Sequence, residues 1–173
     1  AFLESMAPTF KPGGMPSMRQ DVLAQRPTEV EEFAGVVRRL AKKHGMPTPA
    51  NDFFYEKIRE IEHIMGNLLS VLKDQNATAD ALRARFKVSQ DMELDHVIPF
   101  SSDRKYSGAA FTDTGTYLMG AAQFLFPEGN PELMEYCGRF AEEGLRVLVL
   151  AHSVNVSEGA ELPEGLEPVG LLL

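Results

Sequence analysis

Cysteine is nearly absent: Cys137 stands alone among 173 residues. No disulfide can close within the chain, and a cysteine metal cluster is excluded. That suits a reducing compartment. No apolar run approaches the roughly 20 residues that a membrane-spanning helix needs, and the N-terminus shows no signal-peptide pattern. Basic excess is missing too. Lys and Arg total 17 against 25 Asp and Glu, for a net charge of −8. This argues against nonspecific binding to nucleic acid or to an anionic membrane. No GxGxxG dinucleotide fingerprint occurs anywhere. The four histidines, His44, His63, His96 and His152, have no metal-ligand spacing and read as structural or exposed.

What remains is an ordinary globular composition, 44% hydrophobic and 24% charged, enough for one medium domain or two small ones. The charge divides unevenly. Residues 1–65 hold 9 basic and 9 acidic side chains, whereas residues 66–173 hold 8 and 16. Such a shift marks a candidate boundary.

The first part reads as all-helical. "KPGGMPSM" is a loop, because Pro and Gly are costly inside a helix. A helix follows from Pro27, with Val30, Phe33, Ala34, Val37, Leu40 and Ala41 at helical spacing, acids in its first turn and bases before Gly45. A second, long helix opens at Asp52, capped by Asn51, with Phe54, Ile58, Ile61, Met65, Leu68 and Leu72 on one face and Gly66 as its weak point. A shorter helix is expected in "ATADALRARF". Beyond Val88 the period becomes alternating. Strands are expected at 95–100, 105–111, 115–119, 146–152 and 166–172, with a helix at 131–143. The expected fold class is α+β: an antiparallel sheet in the second part, preceded by an all-α segment.

The stretch "HVIPFSSDRKYSGAAF" places an aromatic beside a dense charge cluster, a combination suited to something flat and anionic. With "NATADALRARF", "TYLMGA", "EEGLRVLVLAHS" and "GLEPVGLLL", in this order, it resembles the cytoplasmic nucleotide-binding domain of P-type cation-transporting ATPases over residues 63–173. The resemblance implies an antiparallel twisted sheet flanked by helices, and a domain that holds ATP (Mg-ATP in the parent enzyme) for separate phosphorylation and actuator domains. It implies a cytoplasmic location with no membrane contact by this chain itself. It assigns base stacking to Phe100, phosphate contacts to Lys105 and Arg146, and a close backbone approach to Gly120. Asn76 and Thr78 are further polar contacts. The chain departs from the family at Met119, where its Lys-Gly-Ala-Pro-Glu loop carries the lysine, and at Ala79, where an acid is common. Binding is therefore expected to be weak. The family's Asp-Lys-Thr-Gly-Thr motif does not occur, so the expectation is a part not catalytically complete alone.

Residues 15–62, "PSMRQDVLAQRPTEVEEFAGVVRRLAKKHGMPTPANDFFYEKIREIE", resemble instead the end of the helical C-terminal domain of ketopantoate reductases. Ser17 and Glu29 match residues that face the substrate there. The reductase's catalytic lysine and dinucleotide-binding domain have no counterpart here, so no dehydrogenase activity is expected. The two resemblances imply a chimera of a 1–62 helical segment and a 63–173 nucleotide-binding domain. Two other readings stand beside the ATP-binding one: a helical interaction or dimerisation fragment that forms a homodimer, and a reductase fragment without activity.

Overall fold

A computed structural model describes residues 31–173. The expected start at Pro27 and the residues Ser17 and Glu29 lie outside the described residues. The chain divides into two compact units, Ala1–Tyr55 and Glu56–Leu173.

In the first unit a wide, π-type helical turn, Glu31–Gly35, leads into α1 (Val36–His44). Gly45 ends α1 in the left-handed conformation at φ 65°, after a basic last turn of Lys42, Lys43 and His44. The expected apolar stripe is split: Ala34 and Ala41 are buried, while Phe33, Val37 and Leu40 are exposed. Helix α2 (Pro49–Val71) begins earlier than expected. Pro49 occupies the first turn, where its missing N–H costs nothing, and the Thr48 carbonyl accepts the Asp52 N–H at 2.9 Å. Asp52 is held by the Thr48 hydroxyl at 3.2 Å and by Arg38 Nε at 2.5 Å.

In the second unit α2 lays Ile61, Ile64, Met65 and Leu68 against the sheet, joined by Leu72 just past its end; Phe54 of the expected stripe, in the first unit, is exposed. Gly66 is a point of contact. A Cβ there would meet the Lys87 carbonyl oxygen at 2.6 Å, and the Gly66 carbonyl accepts the Ser89 N–H at 3.1 Å. Beside it Asn67 is buried, and its Oδ1 accepts the N–H groups of Asp91 and Met92 at 3.1 and 3.0 Å. Its Nδ2 donates to the His63 carbonyl and to Asp91 Oδ1 at 3.0 and 2.7 Å. Hydrogen bonds from Asn67 and from His63 hold the Asp91 carboxyl down at a pKa of about 2. Helix α3 (Ala77–Arg85) follows, capped by Asn76.

The sheet is a five-stranded antiparallel meander in the order β1-β2-β3-β4-β5. Its strands are β1 (Leu94–Ile98), β2 (Tyr106–Phe111), β3 (Gly115–Gly120), β4 (Leu148–Ser153) and β5 (Glu167–Leu172). Each lies within two residues of its expected span. Side chains alternate between two cores. Ala109, Phe111, Tyr117, Met119 and Leu150 meet α2 and Leu82 of α3. Ile98, Tyr106, Leu118, Val149 and Ala151 meet the short helix α4 (Ala122–Leu125) and α5 (Pro131–Glu142). The periodicity did not foreshadow α4, which is a single turn. His96 on β1 and His152 on β4 do not face each other, because β2 and β3 lie between their strands. His152 stacks on Tyr117 at 4.3 Å instead.

Candidate nucleotide site

Antiparallel pairing brings the start of β2, the end of β3 and the start of β4 to one end of the sheet. The N-terminus of α3 meets them there, and together they enclose a cavity of about 350 Å³. That volume falls at the small end of the range for ligand pockets. Phe100, Lys105, Gly120, Arg146, Asn76 and Thr78 all line it.

Phe100 lies beyond the end of β1, because Pro99 has no N–H to continue a ladder. It is 48% exposed, whereas the other aromatics of this hairpin, Tyr106 and Phe111, are 6% and 1% exposed. An aromatic ring left half open at a cavity is available for stacking. The turn after it is tightly bonded: the Ser101 carbonyl accepts the Lys105 N–H at 2.8 Å, and Arg104 Nη2 donates to the Pro99 carbonyl at 3.0 Å. Lys105 sits at φ 57°, a left-handed conformation rare for a residue with a Cβ, and its carbonyl accepts the Ala121 N–H at 3.3 Å. Of the charged triplet, Lys105 lines the cavity, while Arg104 lies over the Tyr106 ring at 5.8 Å.

Gly120 has a packing reason to be glycine. A Cβ there would meet Tyr106 Cβ at 2.5 Å and the Lys105 carbonyl oxygen at 2.6 Å, so the strand crossing itself forbids a side chain. Asn76 spends its Oδ1 on the Ala79 N–H at 3.0 Å. Thr78 accepts a bond from Arg146 Nη1 at 2.5 Å, which ties α3 to the approach to β4. A guanidinium has five N–H donors, so this bond leaves others for a ligand.

Two kinds of known protein resemble the chain. The first are cation-transporting ATPases. The probable cation-transporting ATPase exp7 of Streptococcus pneumoniae is 32% identical over 142 residues, covering 76% of this chain and 18% of that protein. The calcium-transporting ATPase CtpE of Mycolicibacterium smegmatis is 25% identical over 113 residues, or 65% of this chain and 14% of its own length. The second is a reductase family. The family described as ketopantoate reductase PanE/ApbA, C terminal, matches residues 4–62. The 2-dehydropantoate 2-reductase of Vibrio cholerae is 44% identical over 46 residues, 27% of this chain and 16% of that enzyme. The chain thus spans less than a fifth of these relatives. No solved structure matches it.

The cavity wall holds three further polar side chains, Asp74, Arg83 and Ser107, that sequence reasoning passed over. Arg83 donates to the carbonyls of Leu72 and Asp74 at 2.9 and 2.8 Å, closing the open end of α2. Its spacing in α3 could have signalled this. Ser107 lies opposite Met119 in the β2–β3 register, so alternation alone could have placed it on the cavity face. Among the described residues no group of three or more His, Cys, Asp or Glu could hold a metal ion. Burial pushes the Cys137 thiol up, as befits a small apolar residue of the α5 core. No helix among the described residues is long and apolar enough to cross a membrane.

Proposed function

We propose that the sheet unit is the nucleotide-binding domain of a P-type cation-transporting ATPase, holding Mg-ATP for phosphorylation and actuator domains elsewhere in the parent enzyme. On this reading it works on the cytoplasmic side. The observation that carries it is the half-exposed Phe100 at the cavity that also gathers Lys105, Gly120, Arg146, Asn76 and Thr78. A purine stacks on Phe100, a contact worth roughly 1–3 kcal/mol. Lys105 has no ion pair among the described residues, so its ammonium is available to phosphate, and Arg146 adds charge-assisted bonds. The likeness to cation-transporting ATPases supports the same reading. Met119 and Ala79 keep the affinity weak, because neither offers charge to the base.

The test is a titration of Mg-ATP followed by the amide shifts of Gly120 and Lys105. Phe100→Ala should weaken binding by about tenfold or more while the sheet stays folded. Unchanged affinity in that variant would rule out stacking.

A second reading concerns the first unit, which the reductase family matches and whose Phe33, Val37 and Leu40 are exposed. It makes this segment a dimerisation or interaction fragment without reductase activity. Sedimentation that depends on concentration, and loses that dependence in Phe33→Asp, is its expected signature.

A further inference from the structure

We infer that Arg104 is a positioning residue for the cavity. From the opposite face of the sheet it clasps the Pro99–Lys105 turn shut, so that Phe100 and Lys105 stand in place before a ligand arrives. This rests on the nucleotide reading. Arg104 stands outside the cavity lining, whereas Lys105, the next residue, is part of it. The guanidinium carbon lies 5.8 Å from the Tyr106 ring centre, and Tyr106 packs in the core that meets α4 and α5, on the face away from the cavity. Arg104 Nη2 donates to the Pro99 carbonyl, so the side chain ties the end of the turn to the residue just before Phe100. Two shorter ties lie within that span. The Ser101 carbonyl accepts the Lys105 N–H, and Ser101 Oγ accepts the Asp103 N–H at 3.3 Å.

Stability alone does not call for an arginine here. Among the described residues, Arg104 Nε is a buried side-chain nitrogen that finds no acceptor. A buried donor left bare opposes folding, and such exceptions call for an explanation. A methionine would cover the Tyr106 ring with a flexible stem and leave no N–H unpaired. It would not donate to Pro99. That bond matters because of what the turn holds. Lys105 stands at φ 57°, and a residue with a Cβ keeps a left-handed backbone only where its surroundings over-determine it. Phe100 is half exposed, so packing of its own ring does little to fix it. A turn already formed spares the ordering that binding otherwise costs. Arg104 thus raises affinity without touching the ligand.

The experiment measures the Mg-ATP affinity of the full chain with and without Arg104→Met, at low and at high salt, together with urea unfolding and amide exchange of the nucleotide-free chain. The expected result is an affinity about three- to tenfold lower. The factor should be the same at both salt concentrations, because a bond within the turn is not screened as a free charge is. The Lys105 amide should exchange at least about threefold faster, while the urea midpoint stays at or above that of the parent chain. Three results overturn the proposal. Affinity within twofold of the parent removes the role. A deficit that vanishes at high salt makes Arg104 a distant charge attracting phosphate. A lowered urea midpoint makes it a structural arginine. Failure of the unaltered chain to bind ATP would instead refute the site reading beneath the proposal. The clasp is then still tested by Lys105 exchange, and an unchanged rate in Arg104→Met overturns it with or without nucleotide.

Discussion

Two glycines in helices should respond to the same substitution with opposite signs. Gly66 lies within α2 and Gly138 within α5. By helix propensity alone, alanine at either position gains about 1 kcal/mol. A Cβ at Gly138 meets nothing within 4 Å, so Gly138→Ala should keep about 0.5–1 kcal/mol of that gain. At Gly66 the Cβ would meet the Lys87 carbonyl oxygen at 2.6 Å, Ser89 Cβ at 3.2 Å and Ser89 N at 3.3 Å. Backbone cannot swing aside as a side-chain tip can. Overpacking of this kind costs about 1–3 kcal/mol. Separating α2 from this segment also strains the bond from Ser89 N–H to the Gly66 carbonyl, worth about 1 kcal/mol. Gly66→Ala should therefore lose about 1–3 kcal/mol net, with the propensity gain already subtracted. Urea unfolding of both variants reports the change as a shifted midpoint at constant slope. Hydrogen exchange at the fully buried Leu118 and Leu150 shows that the sheet unit itself is affected. A Gly66→Ala chain as stable as the parent would refute the close approach of α2 to residues 87–89.

Asn67→Ala should cost about 2–3 kcal/mol, because the N–H groups of Asp91 and Met92 lose their acceptor inside the fold. Asn67→Asp should be worse at neutral pH, with a carboxylate forced beside Asp91, and should recover on acidification; urea midpoints against pH measure both. His96 Nδ1 faces Asp95 Oδ2 at 2.7 Å and Nε2 faces the Gly159 carbonyl at 2.8 Å, so both nitrogens carry protons and the Asp95 bond raises its pKa above 6.5. A raised folded pKa means stability that is complete below about 6.5 and is lost as pH climbs through the folded value. Amide protection of Ser157–Ala160 should fall over that window, and a flat profile, or one unchanged in His96→Gln, would sink the assignment. Lys105→Gly should relieve the positive φ, stabilising the unliganded chain by about 1 kcal/mol, while weakening nucleotide binding. Undiminished ATP affinity would remove Lys105 from the phosphate site.

The order of elements, the period switch after Val88 and the five strands were legible in the sequence, because alternation and helical spacing are local properties of a chain. The convergence of Phe100, Lys105, Gly120 and Arg146 was legible through family resemblance, since nothing in their separation along the chain implies proximity. Other features needed the fold. Gly66 looked like a weak point in a helix, and only the neighbouring segment 87–89 turns it into a requirement. Asn67 is one polar residue among many until two distant backbone N–H groups turn to it. Phe33, Val37 and Leu40 keep the spacing of a buried stripe but are exposed, because burial depends on what packs against a face and not on the face alone. The sequence by itself determined the elements, through short-range periodicity and backbone preference. The tertiary structure alone decided which glycine has no room and which aromatic stays open, because each depends on atoms far away in the chain.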